Sequence, residues 1–302
     1  MSHKHATSHI IQSLVANLLI ACFKGGAAYL THSGAMLAET LHSFADCGNQ
    51  LLLLLGVNRA RKPPDAQHPL GHGRALYFWS FMVALLLFTG GGVFSVYEGV
   101  HKLAAPEQME NLWVGTTILA VSLAIEGYAT LSNIRDMNKR RRDEPFFSYL
   151  RNTKDSDLVV VFGENAAASV GLILALAALG LAKLTNDGRW DAVGSIAIGG
   201  VLICVALFLS IEVKSLILGE SADPRIERVA REVMKATDGV QEVLQVITLQ
   251  QGPGEVVVAA RLRFTNELPA SQVVASIHRI EQALSQREPD VRWCFIEPDL
   301  KA

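Results

Sequence analysis

Long apolar segments alternate with short polar connections over most of the chain before residue 218. Six of these segments reach the roughly 20 mostly apolar residues that a helix needs to cross a bilayer. They cover approximately residues 9–30, 34–57, 77–100, 112–133, 157–182 and 190–216. Residues 220–302 instead alternate charged and apolar positions, as soluble domains do. The pattern predicts an all-α membrane bundle of six transmembrane helices over residues 1–217 and a separate soluble domain over residues 218–302.

The soluble segment contains the signals of two helices and three strands. Asp223 before Pro224 predicts a helix start, and Gly252-Pro253-Gly254 predicts the turn of a hairpin. The expected elements are a helix over 224–237, strands over 243–249 and 255–264, a helix over about 270–286 and a strand over about 291–296. The order α-β-β-α-β predicts a small ferredoxin-like α+β domain with both helices on one face of its sheet. About 80 residues are marginal for an independent core, so we expect a homodimer through this domain.

Lys and Arg are concentrated in two of the short connections. Arg59, Arg61, Lys62 and Arg74 follow the second span, and the run 139–142, Arg151 and Lys154 follow the fourth. The alternate connections hold few basic residues. Because basic loops stay on the cytoplasmic side, both termini and the C-terminal domain are expected to be cytoplasmic.

Composition excludes several functional classes. The chain has 302 residues, a net charge of −2, and four cysteines without a closely spaced pair. Nucleic acid is not an expected partner, because no basic tract lies beside clustered aromatic residues. Neither a nucleophile–base set nor a nucleotide-binding loop appears, so we do not expect an enzyme. The N-terminus lacks the cleavage pattern of a secretory signal.

Polar residues in the second span carry the first chemical signal. Glu39, His42 and Asp46 are spaced so that they share one face of a helix. Ionisable groups at membrane depth are costly and usually functional. Imidazole and carboxylate together favour a divalent transition metal, zinc above all. An interhelical hydrogen bond is the alternative for His42 and Asp46, whereas Glu39 is either a rim residue or a step on an exit path.

The fifth span is expected to supply the facing ligands. Glu164 lies about one third into it, and Asn165 offers a carbonyl oxygen. The two side chains point about 100° apart on a helix, so they cannot both face one neighbour squarely. Glu126 in the fourth span is a proton carrier, a ligand to a second ion or a structural group. Lys24 in the first span is expected to snorkel or to pair with a carboxylate, without a role in transport.

The connection after the second span holds a second candidate site. Asp65, His68 and His72 are spaced by three and four residues, and Pro63-Pro64 and nearby glycines predict a stiff turn. A preorganised metal site is the functional interpretation of this loop. The alternative is an ordinary soluble loop that happens to contain histidines.

These features together resemble the cation diffusion facilitator family. The resemblance rests on six spans, His42-x-x-x-Asp46, the α-β-β-α-β domain and the loop segment from Pro64 to Arg74, and it covers almost the whole chain. Within the family, the chain is most similar to the branch of the ninth mammalian zinc transporter. That branch is indicated by Ala38-Glu39, His42-Ser43, Asp46-Cys47 and Asn49-Gln50, and by a Glu in the fifth span where other members have His.

The resemblance implies roles for individual residues. His42 and Asp46 match the second-span pair of the family's transport site, and Asp65, His68 and His72 match a loop site of bacterial zinc/proton antiporters. Aligned on the fifth span, Asn165 takes the place of the usual Asp and Val161 that of the usual His, so Glu164 is the nearest replacement. Family members often hold two zinc ions in this domain, bound by several histidines, whereas the domain of this chain has only one histidine, His278. Val274 and Phe295 stand at ligand positions and Glu297 alone keeps a carboxylate, so this domain is expected to dimerise without zinc or with a weaker site.

The functional prediction is a secondary transporter that exports a divalent cation, with zinc favoured, from the cytoplasm in exchange for protons. Its expected partners are the cation, protons, the lipid bilayer and a second copy of the chain, and no resident cofactor is expected. A bacterial inner membrane is the expected location. Transport of manganese, iron or cobalt remains open, as does a non-transporting metal sensor or scaffold. A passive channel is disfavoured, because the polar residues are too sparse to line a continuous pore.

Overall fold

The computed structural model describes residues 3–104, 111–141, 144–153 and 156–299. It divides into two compact units. The first comprises Met1–Val57, Phe78–Leu150 and Asp157–Val213, and the second comprises Asn58–Tyr77, Arg151–Ser156 and Lys214–Ala302. Each unit is described by itself below.

Long helices make up the first unit, which contains most of the predicted spans. The helices are α1 (His3–Thr31), α2 (Gly34–Ala60), α3 (Ala75–Leu86), α4 (Phe94–Ala104), α5 (Leu112–Arg140), α6 (Phe146–Asn152), α7 (Ser156–Thr185) and α8 (Arg189–Leu218), with a π-helical segment Leu87–Val93 joining α3 to α4. By length and composition, four stretches of the described chain can cross a membrane: Ala75–Ala104, Leu112–Arg140, Leu158–Thr185 and Arg189–Leu218. Helices α1 and α2, with 29 and 27 residues, have the length of a span. Polar residues such as Glu39 and Asp46 interrupt the apolar sequence of α2.

Small residues bring α4 and the π-helical segment close to α8. A Cβ added to Gly199 would lie 2.8 Å from the backbone oxygen of Gly92, and one added to Gly99 would lie 2.8 Å from that of Ala192. Backbone atoms cannot yield as a flexible side chain can, so these positions require glycine. Such contacts are typical of membrane helices, where close packing replaces the hydrophobic drive for association.

A buried carboxylate fixes the start of α2. Asp191 of α8 is 2% exposed and accepts hydrogen bonds from the Ser33 hydroxyl and from the backbone N–H groups of Gly34 and Ala35. These N–H groups have no partner within the helix, and a negative charge at a helix N-terminus is favourable. Asp191 therefore holds the start of α2, the helix that carries Glu39, His42 and Asp46.

The soluble part of the second unit has the predicted order. Its elements are α9 (Pro224–Lys235), β1 (Val240–Gly252), β2 (Glu255–Phe264), α10 (Ala270–Arg287) and β3 (Val291–Pro298). The sheet order is β1-β2-β3, with β1 and β2 antiparallel and β2 and β3 parallel. Both helices contact the sheet and each other, so they cover one face. The core under them includes Ala230, Met234, Val258, Leu262, Ile280 and Leu284. The predicted fold, a membrane helix bundle with a small α+β domain, is confirmed.

The loop between α2 and α3 belongs to this second unit and packs on its hairpin. A Cβ added to Gly73 would lie 2.4 Å from Glu255 Oε2 and 2.8 Å from the backbone oxygen of Gln251. Only glycine allows the loop to approach the turn between β1 and β2 this closely. The turn thus supports the segment that carries Asp65, His68 and His72.

Candidate metal-binding sites

A cavity of about 250 Å³ lies within the membrane unit. It is lined from α1 by Asn17 and Ile20, from α2 by Ser43, Asp46 and Gln50, from α5 by Ile125, Glu126 and Ala129, and from α7 by Val161, Glu164, Asn165 and Ala168. One water occupies roughly 30 Å³ of liquid. The cavity therefore has room for a metal ion with several of its waters, and three carboxylates line it.

His42 lies at one side of Asp46, one helical turn earlier on α2. Its Nε2 is 3.7 Å from Asp46 Oδ2, and its side chain is 1% exposed. Within the described residues, neither ring nitrogen of His42 nor Asp46 Oδ1 has a hydrogen-bond partner. Buried polar atoms in native proteins are almost always paired, so unpaired ones need an explanation. A bound metal ion would supply the missing partner, because imidazole and carboxylate are its usual ligands.

Glu164 enters the cavity from α7 and is held by Asn49 of α2. Asn49 Nδ2 donates to Glu164 Oε1 at 2.6 Å, and Asn49 is fully buried. The sequence did not single out Asn49 as a functional residue. Its position three residues after Asp46, on the same helical face, was the available signal. Asn49 therefore ties the carboxylate of Glu164 to α2, the helix that carries Asp46.

Asn165 lines the same cavity as Glu164. Both therefore reach one cavity even though adjacent residues on a helix point about 100° apart. Its backbone oxygen accepts a hydrogen bond from Thr130 Oγ1 at 2.9 Å, and the same hydroxyl lies 2.8 Å from Ser169 Oγ. Val161, one turn earlier on α7, also lines the cavity. The structure thus brings together Asp46, Glu164 and Asn165, with His42 adjoining Asp46.

Glu39 does not line this cavity. It is fully buried, and its Oε2 lies 3.2 Å from the Lys24 ammonium of α1. The same ammonium is 2.9 Å from Glu126 Oε1 of α5 and 2.9 Å from Ser43 Oγ. Space for the Glu39 carboxylate comes from Gly171 of α7, where an added Cβ would lie 2.3 Å from Glu39 Oε1. Lys24 therefore pairs with carboxylates, one of the two expected outcomes, and Glu126 joins this ion pair to the cavity.

The loop residues Asp65, His68 and His72 form a second cluster. One ligand atom from each lies within 4.8 Å of the others, and within the described residues this is the one group of three or more His, Cys, Asp or Glu residues whose ligand atoms lie that close together. His72 Nε2 is 3.0 Å from Asp65 Oδ2, and His68 Nδ1 is 3.4 Å from Asp65 Oδ1. The arrangement suits a divalent ion bound near the surface, because Asp65 and His68 are about half exposed.

Backbone hydrogen bonds hold Asp65 in an ionised state. Its Oδ1 accepts from the backbone N–H of His68 at 2.7 Å and from that of Gln67 at 2.9 Å. These bonds and the one from His72 lower the pKa of Asp65 to about 2, with the His68 N–H as the largest cause. A carboxylate that is already charged and oriented is a preorganised metal ligand.

In the soluble domain, the positions where the resemblance implies metal ligands hold exposed apolar residues or a carboxylate that is already paired. Val274 and Phe295 are both more than half exposed, and Glu297 forms an ion pair with Arg261 at 3.1 Å. Burial raises the pKa of Cys294 in β3 to about 11, so its thiol is a poor ligand at neutral pH. No zinc cluster of this domain appears among the residues that the structure describes.

Comparisons with known proteins agree with this architecture. Residues 10–218 match the family described as the cation efflux transmembrane domain. The mitochondrial proton-coupled zinc antiporter SLC30A9 of Xenopus laevis is 32% identical, with 95% of this chain and 58% of the relative aligned. Metal tolerance protein C4 of Arabidopsis thaliana is 27% identical, over 95% of this chain and 64% of the relative. The cation-efflux pump FieF of Cronobacter sakazakii is 25% identical, over 92% of this chain and 87% of the relative.

The chain spans little more than half the length of the Xenopus relative. Among solved structures, the MamM CTD in a nickel form is 10% identical with a TM-score of 0.24, and the match covers 26% of this chain and 98% of that one. The family match covers more than half of the chain and includes most of α1 and all of α2 to α8. The expected relationship to the cation diffusion facilitators, nearest to the branch of the ninth mammalian zinc transporter, is confirmed. The chain is an integral membrane protein of the cation efflux family, which is a family of transporters.

Proposed function

We propose that the chain exports Zn²⁺ through its membrane unit in exchange for protons, with the ion held by His42, Asp46 and Glu164. The observation that carries this proposal is the cavity where Asp46 and Glu164 meet, beside a buried imidazole whose nitrogens have no partner among the described residues. Asn165 completes the ligand set through its side-chain oxygen, and Asn49 orients Glu164. Glu39 serves this site indirectly, because its carboxylate is engaged by Lys24.

The ligand types support zinc as the ion. One imidazole with carboxylate oxygens suits borderline metals such as zinc, whereas Mg²⁺ and Ca²⁺ take oxygen ligands alone. Relatives named as zinc antiporters support the same choice. Manganese, iron and cobalt tolerate similar ligands, so they belong in the same assay as competitors.

Electrostatics supports exchange for protons. The cavity and the adjoining ion pair contain the carboxylates of Glu39, Asp46, Glu126 and Glu164 and the ammonium of Lys24, formally −3 when all are ionised. Three uncompensated negative charges in a membrane interior are costly, and either a divalent cation or protons relieve them. Metal ligation requires deprotonated imidazole and carboxylate, so the two kinds of cation compete for the same atoms. An inward proton gradient therefore favours release of the metal on the outer side.

The loop cluster of Asp65, His68 and His72 is proposed as an accessory metal site. Its three ligand atoms are close together, and Asp65 and His68 are about half exposed, so it binds an ion reversibly and retains water ligands. Such a site tunes the supply of metal, whereas the membrane cavity performs the transport. Removal of both histidines is expected to reduce zinc flux only in part.

The soluble domain is proposed to join two copies of the chain. The face of the sheet away from α9 and α10 exposes Ile247 and Phe295, each more than half accessible. Ala259 pairs with both of them, so the two side chains lie in one row across the three strands. A second copy that covers this row would bury apolar surface that a small domain cannot bury alone.

We propose that the chain lies in a bacterial inner membrane and that both termini are on the cytoplasmic side. The basic residues after α2 and α5 support the cytoplasmic side for those loops. The match to most of the length of a bacterial efflux pump supports the choice of membrane.

Reconstitution tests this function. Zinc flux into proteoliposomes is followed with an internal zinc-sensitive dye while the pH gradient is imposed, abolished or reversed. Exchange predicts flux that follows the direction of the proton gradient and is matched by a counterflow of protons. Zinc binding without flux would instead support a metal sensor, and flux that ignores the gradient would indicate a channel.

A further inference from the structure

The Lys24 ammonium lies in a complete shell of oxygen atoms inside the membrane unit. Its three neighbours are Glu39 Oε2 at 3.2 Å, Ser43 Oγ at 2.9 Å and Glu126 Oε1 at 2.9 Å. Lys24 and Glu39 are fully buried, and Ser43 is 4% exposed. An ammonium has three N–H donors, so each donor has one acceptor. Residues from α1, α2 and α5 thus converge on a single positive charge.

The same oxygen shell suits a divalent metal ion. Two carboxylates and a hydroxyl are hard oxygen ligands of the kind that Mg²⁺, Mn²⁺ and Zn²⁺ accept. Each carboxylate also has one oxygen, Glu39 Oε1 and Glu126 Oε2, without a hydrogen-bond partner among the described residues. Both carboxylates therefore retain capacity for a further contact that the lysine does not supply.

The Lys24 shell adjoins the proposed transport cavity. Ser43 and Glu126 contact Lys24 and also line the cavity, together with Asp46 and Glu164. With Lys24 replaced by a short neutral residue, Glu39 and the three carboxylates that line the cavity would hold four negative charges without a balancing cation. Four carboxylates balance the charge of two divalent ions.

We propose that Lys24 is a tethered cation that occupies a second cation-binding site, formed by Glu39, Ser43 and Glu126, and so limits the membrane unit to one divalent ion. This inference rests on the proposed function, because the single remaining ion is the transported one. It gives Lys24 a role in the transport reaction, as the residue that sets how many ions the protein carries. It also explains why Glu126 faces both the lysine and the cavity.

Metal stoichiometry tests this proposal. The full chain is purified with His68→Ala and His72→Ala, so that the loop cluster does not contribute, and bound zinc per chain is measured by equilibrium dialysis and elemental analysis. This background is expected to bind one ion. Lys24→Ala in the background is expected to bind two, whereas Lys24→Arg, which keeps the positive charge, is expected to bind one.

A further variant identifies the second site. Adding Glu39→Gln to Lys24→Ala removes a proposed ligand, so the second ion should be lost while the first remains. A folded Lys24→Ala protein that binds no more zinc than the background would overturn the proposal. A second ion that survives Glu39→Gln would overturn it as well, because the ion would then lie elsewhere.

Folding is followed separately by thermal unfolding of each variant with and without zinc. Loss of Lys24 leaves two carboxylates without their cation, so Lys24→Ala should unfold at a lower temperature than the background. Zinc should raise its unfolding temperature by more than it raises that of the background. A Lys24→Ala protein that stays unfolded in the presence of zinc contradicts the proposal, because the shell then cannot accept the ion. If the background itself binds no zinc, the transport site in the cavity fails, and the difference between Lys24→Ala and the background still decides the role of Lys24.

Discussion

Gly171→Ala places a methyl group against the carboxylate of Glu39. The new Cβ would lie 2.3 Å from Glu39 Oε1, whereas ordinary contact begins near 3.4 Å. The oxygen must therefore move by about 1 Å. The carboxylate is fully buried and bonded to Lys24 at 3.2 Å, so a shift of this size lengthens or breaks the ion pair.

The expected magnitude depends on whether Lys24 follows the shift. Overpacking a well-packed interior costs about 1–3 kcal/mol, and alanine in a helix gains about 1 kcal/mol over glycine. If the ion pair adjusts as a unit, we expect a net loss of about 0–2 kcal/mol in the free energy of unfolding. If the pair breaks, an unpaired buried charge costs about 3–5 kcal/mol and the loss is correspondingly larger.

Gly180→Ala is the matched control on the same helix. Among the described residues, no atom outside the neighbouring backbone of its own helix lies within 4 Å of a Cβ added there, so this variant keeps the helix-propensity gain without the clash. The free energy of unfolding is measured by denaturation in mixed micelles, with zinc flux measured in parallel. Gly171→Ala should lose stability in a wild-type background and lose much less beside Glu39→Ala, because the two changes share one contact. Equal stability of Gly171→Ala and Gly180→Ala would refute the assigned contact.

Four further predictions follow from single contacts. Asn49→Leu removes the donor to Glu164 and should weaken zinc binding about 10- to 100-fold, measured by calorimetry, as loss of a partner behind a metal ligand usually does; unchanged affinity would contradict the role of Asn49. Asp191→Ala removes the acceptor at the start of α2 and should lower the free energy of unfolding by at least about 1 kcal/mol in denaturant titrations. Gly73→Ala puts a Cβ 2.8 Å from a backbone oxygen, so it should destabilise the loop and weaken zinc binding there. Unchanged zinc binding at the loop would contradict this contact. Asp65 has a depressed pKa of about 2 and is charged at every pH above about 4, so Asp65→Asn should weaken zinc binding at the loop at neutral pH, measured by calorimetry, and unchanged affinity would contradict its role as a ligand.

The sequence predicted the elements of the fold well, because period and length are properties of local segments. Runs of about 20 apolar residues identified the six long helices, and the Val- and Ile-rich segments around Gly252-Pro253-Gly254 identified the hairpin. The N-cap at Asp223 was also confirmed, since its Oδ1 accepts from the backbone N–H of Arg225 at 2.7 Å. The π-helical segment Leu87–Val93 was not predicted. Its Gly91 and Gly92 lie against Leu202 and Ile203 of α8, and such contacts between distant segments are not encoded by periodicity.

The partners of the polar residues were harder to predict than the residues themselves. Spacing placed Glu39, His42 and Asp46 on one face of α2, yet it could not show that Glu39 faces Lys24 while Asp46 faces the cavity. That division depends on which neighbouring helix approaches each turn. Asn49 was overlooked as a functional residue because an amide in a membrane helix is less costly than a charge and so gives a weaker signal. Its contact with Glu164 joins residues 115 positions apart.

Zinc flux in variants of the cavity tests the central claim most directly. Asp46→Asn preserves the size of the side chain and removes the charge, and Asp65→Asn makes the same change in the loop cluster as its matched control. With an imposed pH gradient, we predict that Asp46→Asn proteoliposomes show no zinc flux above protein-free vesicles, while Asp65→Asn retains most of the wild-type flux. Both variants should elute and unfold as the wild type does. Normal gradient-driven flux through Asp46→Asn would contradict the assignment of the transport site.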